Sequence, residues 1–286
     1  MASTPSASGS PIPAYRNSVM ANLRELLLRR ETIGYLVSSN LRAGHRDKLL
    51  GNLWNLLDPL LFMAVYYVVF GIGFRQAGEN PTEFVIYLCI GLLSFRFLDG
   101  VVTQSATCIR ANRGIVGEMR FPKAVLPISV CLSRLYDFLW GLVVLGVVLA
   151  IIGHPITVWV VGLPVLIGIQ LLLCMGLAFA TAYIGAFFAD TPNILGIATR
   201  LLFFSSPIFY FAKSEHGRHG IVPPEYLDLY SLNPLVGLFD GYRDVMLWGR
   251  MPAIDSISYL AVLSVAVFVF GFLMFSRGER DFAKYL

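Results

Sequence analysis

Long, nearly uninterrupted apolar runs dominate the chain. Six are long enough to cross a bilayer as helices: Leu53–Phe74, Phe84–Ser105, Val125–Gly153, Ile156–Phe188, Ile194–Ala212 and Ser256–Phe275. One crossing takes about 20 apolar residues in a helix, whereas a membrane β-barrel would alternate apolar and polar positions over segments of about 10. The fourth run is long for one crossing and too short for two plus a turn. It predicts a single helix, with Pro164 bending it near its start. Ahead of the first run, residues 17–52 form an interface region. Within it, Asn17–Val37 mixes leucines with Arg24, Arg29, Arg30 and Glu31, the pattern of a basic amphipathic helix at a membrane surface. Residues 1–16 open on a Ser-, Pro- and Ala-rich stretch without an apolar core and are expected to be a disordered tail.

Composition agrees with a membrane protein. Hydrophobic residues make up 56% and charged residues 14%, against about 25% charged in soluble domains, and mean hydropathy is +0.68. The expected fold is an all-α integral membrane protein with six spans over residues 53–275 and a tail at 276–286. Orientation follows from arginine and lysine placement. They crowd residues 1–52, the connection after the second span (Arg110, Arg113, Arg120, Lys123) and the tail (Arg277, Arg280, Lys284), which puts both ends in the cytoplasm. Ile109–Ala124 can hold a short helix closed by Pro122. The opposite connection, from Lys213 to Asp255, contains Pro234–Trp248, apolar on one side but bearing Asp240, Arg243 and Asp244. That segment fits a re-entrant or interfacial helix.

Several chemistries are excluded or weak. None of the four lysines follows a glycine, so a phosphate-binding G-x-x-x-x-G-K-[ST] loop cannot occur. The four cysteines stand singly, without C-x-x-C spacing, and read as buried inert thiols. His216 and His219, beside Glu215, have metal-ligand spacing but lack a third ligand cluster and read as a hydrated loop.

Charges within spans are costly and draw attention: Asp58, Arg96, Asp99, Arg134, Asp137 and Arg200. Arg96 with Asp99 and Arg134 with Asp137 stand three apart on shared helix faces. They read either as structural ion pairs or as groups that touch cargo or a proton. Asp58 lies near a span entry, and Arg200 is close enough to one to snorkel. Aromatics also recur at helical spacing: Phe62, Tyr66 and Phe70; Phe84, Tyr87 and Phe95; Phe203, Phe204, Tyr210 and Phe211. They read either as packing and lipid-facing rings or as the wall of a passage along which sugar rings slide.

Five blocks carry a resemblance. Leu50–Phe74 (LGNLWNLLDPLLFMAVYYVVFGIGF), Leu88–Phe97 (LCIGLLSFRF), Ile109–Ser129 with F-P-K-x-x-L-P, Ala186–Tyr210 with F-F-x-D and S-P-I-x-Y, and Leu232–Gly249 with N-P-L and Y-R-D stand in order. Together they resemble the permease subunits of bacterial ABC-2-type polysaccharide exporters. Ala189 stands where that family commonly has arginine, and Arg46–Gly51 matches its basic run only partly.

The resemblance implies a homodimer that moves a lipid-linked glycan such as O-antigen or capsule across the cytoplasmic membrane, with no catalytic residues in this chain. Two separate cytosolic ATPase subunits would bind ATP and magnesium. A coupling helix at Arg110–Lys123 would dock on them through Arg110, Asn112, Arg113, Glu118 and Arg120, with Phe121 and Pro122 anchoring its return. The passage would be lined by Phe62, Tyr66, Phe70, Tyr87, Phe95, Phe203, Phe204 and Tyr210. Extracytoplasmic gate helices would occupy Pro234–Trp248, with Pro234, Tyr242, Arg243 and Asp244 as gate residues. The rival readings are an ABC-2 permease for a small drug or lipid, a proton-coupled transporter using Asp99 or Asp137, and a membrane-embedded glycan-modifying enzyme.

Overall fold

The computed structural model describes residues 30–45, 61, 64–65, 67–73, 81–114, 123–155, 157–213, 220–279 and 282, and every regular element among them is helical. The first is α1 (Arg30–His45), which overlaps the predicted Asn17–Val37 from Arg30 on and continues past it, while 17–29 lie outside the described residues. Its Ile33 and Leu36 pack inward while Tyr35 is exposed, as an amphipathic surface helix requires. The expected tail at 1–16 and most of the first span, including Phe62 and Tyr66, lie outside the described residues. A π-helical turn, Tyr67–Gly73, is the longest described part of that span.

Among the described residues, four segments are long and apolar enough to cross a membrane. They are α2 (Pro81–Ala111), α3 (Val125–Ile152), the 3-10 turn Val158–Gly162 leading into α4 (Leu163–Phe187), and the helix Ile254–Gly278. In α2, 78% of the most apolar window is buried within the protein, against 22% to 28% in the others, so α2 is the central rod. The other three turn side chains such as Trp140, Val143, Val165 and Phe270 outward. Pro164 sits in the first turn of α4, where its missing N–H loses no helical bond. All four cysteines are buried as free thiols.

The helix of the fifth predicted span ends before its apolar run does. Instead of running to Ala212, α5 (Thr191–Ser205) stops after 15 residues, about 22 Å at 1.5 Å per residue and short of a roughly 30 Å hydrocarbon core. Ser206 turns extended, with ψ 148°, because a residue before proline avoids the helical region and Pro207 has no N–H to offer. The chain then passes through the core without regular structure, burying Ser206, Ile208, Phe209 and Phe211.

A 3-10 turn (Pro224–Tyr226) and the short α6 (Leu227–Ser231) lead to α7 (Pro234–Arg243), which continues as a π-helical turn, Asp244–Trp248. Asn233 starts α7 by accepting the Leu235 N–H at 3.0 Å, with Pro234 in the first turn. Helix α8 (Ile254–Gly278) extends past the predicted Phe275 boundary.

Among the described residues the most extensive helix pairing is α4 against α8. A Cβ on Gly176 would stand 2.6 Å from the backbone N and Cα of Phe268, and one on Gly271 would strike the Gly176 carbonyl. In lipid, helix association relies on close van der Waals packing, and paired glycines let the backbones touch. A separate apolar cluster gathers the ends of α2, α4 and α8 and the start of α3 around Ile109, Val125, Phe179, Phe275 and Phe282.

Candidate functional site

Three groups of residues hold the chemistry, spaced along the bundle. At one end, Arg243 of α7 is 1% exposed, and its guanidinium carbon stands 3.3 Å from the centroid of the Tyr87 ring. Its Nη2 donates to the carbonyl of Pro207 at 2.6 Å and more weakly to those of Ile208 and Tyr87, at 3.3 and 3.5 Å; Asp240 Oδ1 lies 3.7 Å from Nη1. Arg243 therefore satisfies carbonyls that the Pro207 break releases. Gly91 leaves the room: a Cβ there would be 2.8 Å from Nη2. Nearby, Tyr242 donates to Gln170 Oε1 at 2.7 Å and Gln170 donates to the Ser94 carbonyl at 2.8 Å, joining α7, α4 and α2. Asp244 is buried against Arg250, with Nε to Oδ1 2.5 Å.

Midway along the bundle, the polarity of α2 reverses. Between Gly91 and Arg110, each position left partly open is polar or glycine: Arg96, Asp99, Gly100, Thr103, Gln104, Thr107 and Arg110. Arg96 is the middle residue of α2. Arg96, Asp99 and Thr103 face Thr199 and Arg200 of α5 across a cavity of about 560 Å³. Arg200 thus borders this cavity. On the neighbouring side, Arg134 donates from Nε to Gln104 Oε1 at 2.9 Å and from Nη1 to Asp137 Oδ2 at 3.2 Å, with side chains 39% and 30% exposed. A charge facing lipid at mid-bilayer costs about 2.5–3.5 kcal/mol. Such a face is stable next to water or another protein surface.

The aromatic residues divide. Tyr87 is buried, its hydroxyl donating to the Tyr210 carbonyl at 2.8 Å and to that of Pro207 at 3.3 Å. Phe95 and Phe203 meet edge to face at 5.1 Å and border the cavity. Phe204 is largely exposed. Tyr210 shares a 2.8 Å hydroxyl contact with Tyr230, whose phenol burial pushes well above its ordinary pKa. The side chains of Phe62, Tyr66 and Phe70 lie outside the described residues.

At the other end, the α2–α3 connection is described only at its stems. Arg110 donates from Nε to the Gly185 carbonyl at 2.8 Å and from Nη2 to that of Ala186 at 3.4 Å, so it binds this chain's own α4. Asn112 donates to the Cys108 carbonyl at 2.8 Å, and Arg113 is exposed. On the returning stem, the Lys123 N–H donates to Glu279 Oε1 at 2.5 Å and Lys123 Nζ donates to the Glu279 carbonyl at 3.0 Å. Burial draws the Lys123 ammonium below its usual pKa, and the Glu279 carboxylate opposes that shift. Glu118, Arg120, Phe121 and Pro122, like His216 and His219, lie outside the described residues.

Gln170, Glu279 and Phe282 were not singled out by the sequence reading. A lone glutamine in an apolar run was the available signal for the first.

A helical membrane bundle with a polar face at its middle and a knot of polar bonds at one end is the architecture of a transport domain. The chain belongs to the ABC-2 type transporter family, whose model matches residues 31–247. It is 30% identical over 265 residues to the O-antigen export system permease protein RfbA of Myxococcus xanthus, covering 92% of this chain and 98% of that one. Identity to an RfbA of Klebsiella pneumoniae is 26% over 252 residues, 88% and 93% of the two chains. Identity to the polysialic acid transport protein KpsM of Escherichia coli is 22% over 263 residues, 88% and 95% of the two.

Proposed function

We propose that this chain is the permease subunit of an ATP-driven exporter that moves a lipid-linked polysaccharide across the cytoplasmic membrane. It would work as a homodimer, with two separate cytosolic subunits that hold ATP and magnesium and hydrolyse the nucleotide, and both of its termini would face the cytoplasm. The observation that carries this reading is the polar face of α2, in a chain similar over about nine-tenths of its length to polysaccharide-export permeases.

A passage for a hydrated polymer needs groups that replace water along its wall without gripping any one unit. Partly open arginines, an aspartate and threonines, flanked by Phe95 and Phe203, have that chemistry. The homodimer has a physical motive as well. Arg134 and Asp137 are too open in one copy to face lipid, and a second copy would shield them from it beside a water-filled passage. Nucleotide binding on the partner would shift the bundle between closed and conducting states through its different affinity for the two.

The test is co-expression with the candidate ATPase subunit, purification of the complex, and glycan export into vesicles. The wild-type pair should copurify and export only with ATP. Arg96→Ala with Arg200→Ala should cut export at least tenfold while the ATPase stays bound. Undiminished export by that double variant would remove the polar face from the passage. Export driven by a proton gradient without any ATPase would favour a secondary transporter instead.

A further inference from the structure

We infer that Glu279 and Phe282, which follow α8, form a clasp that transmits the partner's stroke, tying the returning stem of the α2–α3 connection to the α4–α8 pair so that the two helices move as one body. This rests on the reading above, in which a separate ATPase pushes on that connection.

Both stems are fastened by the same device. The last carbonyls of a helix lack partners within the helix and carry the negative end of its dipole, so they attract cations. Arg110, on the leaving stem, bonds the Gly185 and Ala186 carbonyls in the last turn of α4. Lys123, on the returning stem, bonds the carbonyl of Glu279, the residue just past α8, while the Glu279 carboxylate accepts the Lys123 N–H. Phe282 closes the clasp. It is 0% exposed, and its ring lies 5.7 Å from that of Phe187 on α4, 5.3 Å from that of Phe275 on α8 and 5.6 Å from Lys123 Nζ.

The two helices so fastened also touch backbone to backbone at Gly176 and Gly271, leaving no compressible side-chain layer between them there. At their far ends both reach the α7 region: Gln170 of α4 accepts from Tyr242, and Tyr259 of α8 donates to the Leu232 carbonyl at 2.9 Å. A displacement of either stem is therefore delivered along two parallel rods to the segment that carries Arg243. Backbone contacts that leave no slack make those rods stiff, and cutting the clasp should disconnect the push from the gate without removing the docking surface.

The experiment uses the full permease–ATPase complex in liposomes and reads glycan exported per ATP hydrolysed. Glu279→Ala combined with Phe282→Ala should leave the complex assembled and its ATP hydrolysis within twofold of wild type, while export per ATP falls at least tenfold. Glu279→Gln, which keeps an oxygen to accept the Lys123 N–H, should stay within threefold. Unchanged export per ATP in the double-alanine variant would overturn the clasp. So would equal loss of assembly in the alanine and glutamine variants, which would mark a purely structural role. If the double variant does not fold, Glu279→Ala alone is held to the same criterion. A wild-type complex that shows no ATP-driven export would overturn the functional reading, and the clasp with it.

Discussion

Replacing Arg243 with methionine would keep most of the side chain's bulk while removing all of its donors and its charge. The Pro207 carbonyl, now 2.6 Å from Nη2, would remain buried without that partner. A hydrogen bond from a charged group contributes about 1.5–3 kcal/mol, and a desolvated cation over an aromatic ring about 2 kcal/mol. Relief of the buried charge offsets part of this, since holding a cation out of water itself costs several kcal/mol. The net expectation is a loss of about 2–4 kcal/mol. At about 2 °C per kcal/mol, the low end of the range for smaller chains, that corresponds to a drop of roughly 4–8 °C in the unfolding temperature. Thermal unfolding of the detergent-purified permease, followed by intrinsic fluorescence, reads it directly. Arg243→Lys can still reach one carbonyl but loses the flat fork over Tyr87, so its drop should be about half as large. A methionine variant within about 1 °C of wild type, or a lysine variant worse than the methionine one, would refute the role assigned to this side chain.

Gly271→Val would drive side-chain carbons into the Gly176 carbonyl, and a loss of monodisperse protein on size-exclusion chromatography should follow, whereas Gly146→Ala, at an open site, should be silent. Gln170→Leu leaves the Tyr242 hydroxyl and the Ser94 carbonyl without their present partner and should cost about 1–3 kcal/mol per stranded group. Adding Tyr242→Phe should recover part of that in a double-mutant cycle. Asp137→Asn should shift stability by no more than about 1 kcal/mol, because a hydrated ion pair contributes little. A loss of about 3–5 kcal/mol in the same unfolding assay would place the Arg134–Asp137 pair in a dry interior instead.

The long crossings were legible because bilayer thickness sets them: α2, α3, α4 and α8 are runs of apolar residues whose length leaves little choice. The break after Ser205 was present in the sequence as Ser205–Ser206–Pro207, but apolar residues continue to Ala212 and length outweighed punctuation. Helical spacing put Tyr87 and Phe95 near one face, yet it cannot say what that face meets; Tyr87 met the carbonyls of a non-helical strand of chain 120 residues away. Arg243 stood in a recognisable block, but its partners are backbone carbonyls, and those leave no trace in residue identity. The clasp was missed for a related reason. Phe282 stands among Arg280, Asp281 and Lys284 in the tail after the last predicted span, and only folding brings it beside Phe187 and Phe275. The polar face of α2 was half visible: Arg96 and Asp99 stood out as charges, whereas Thr103, Gln104 and Thr107 joined them only once the burial of every other flank was known.

The sealed position of Cys89, Cys108, Cys131 and Cys174 has a practical corollary. A water-soluble maleimide has no ready access to any native sulfur, so single thiols can be placed one by one along the suspected route without first stripping the protein of its own. Reactivity at each introduced site, with and without nucleotide on the partner, would then trace where water enters the closed and open forms.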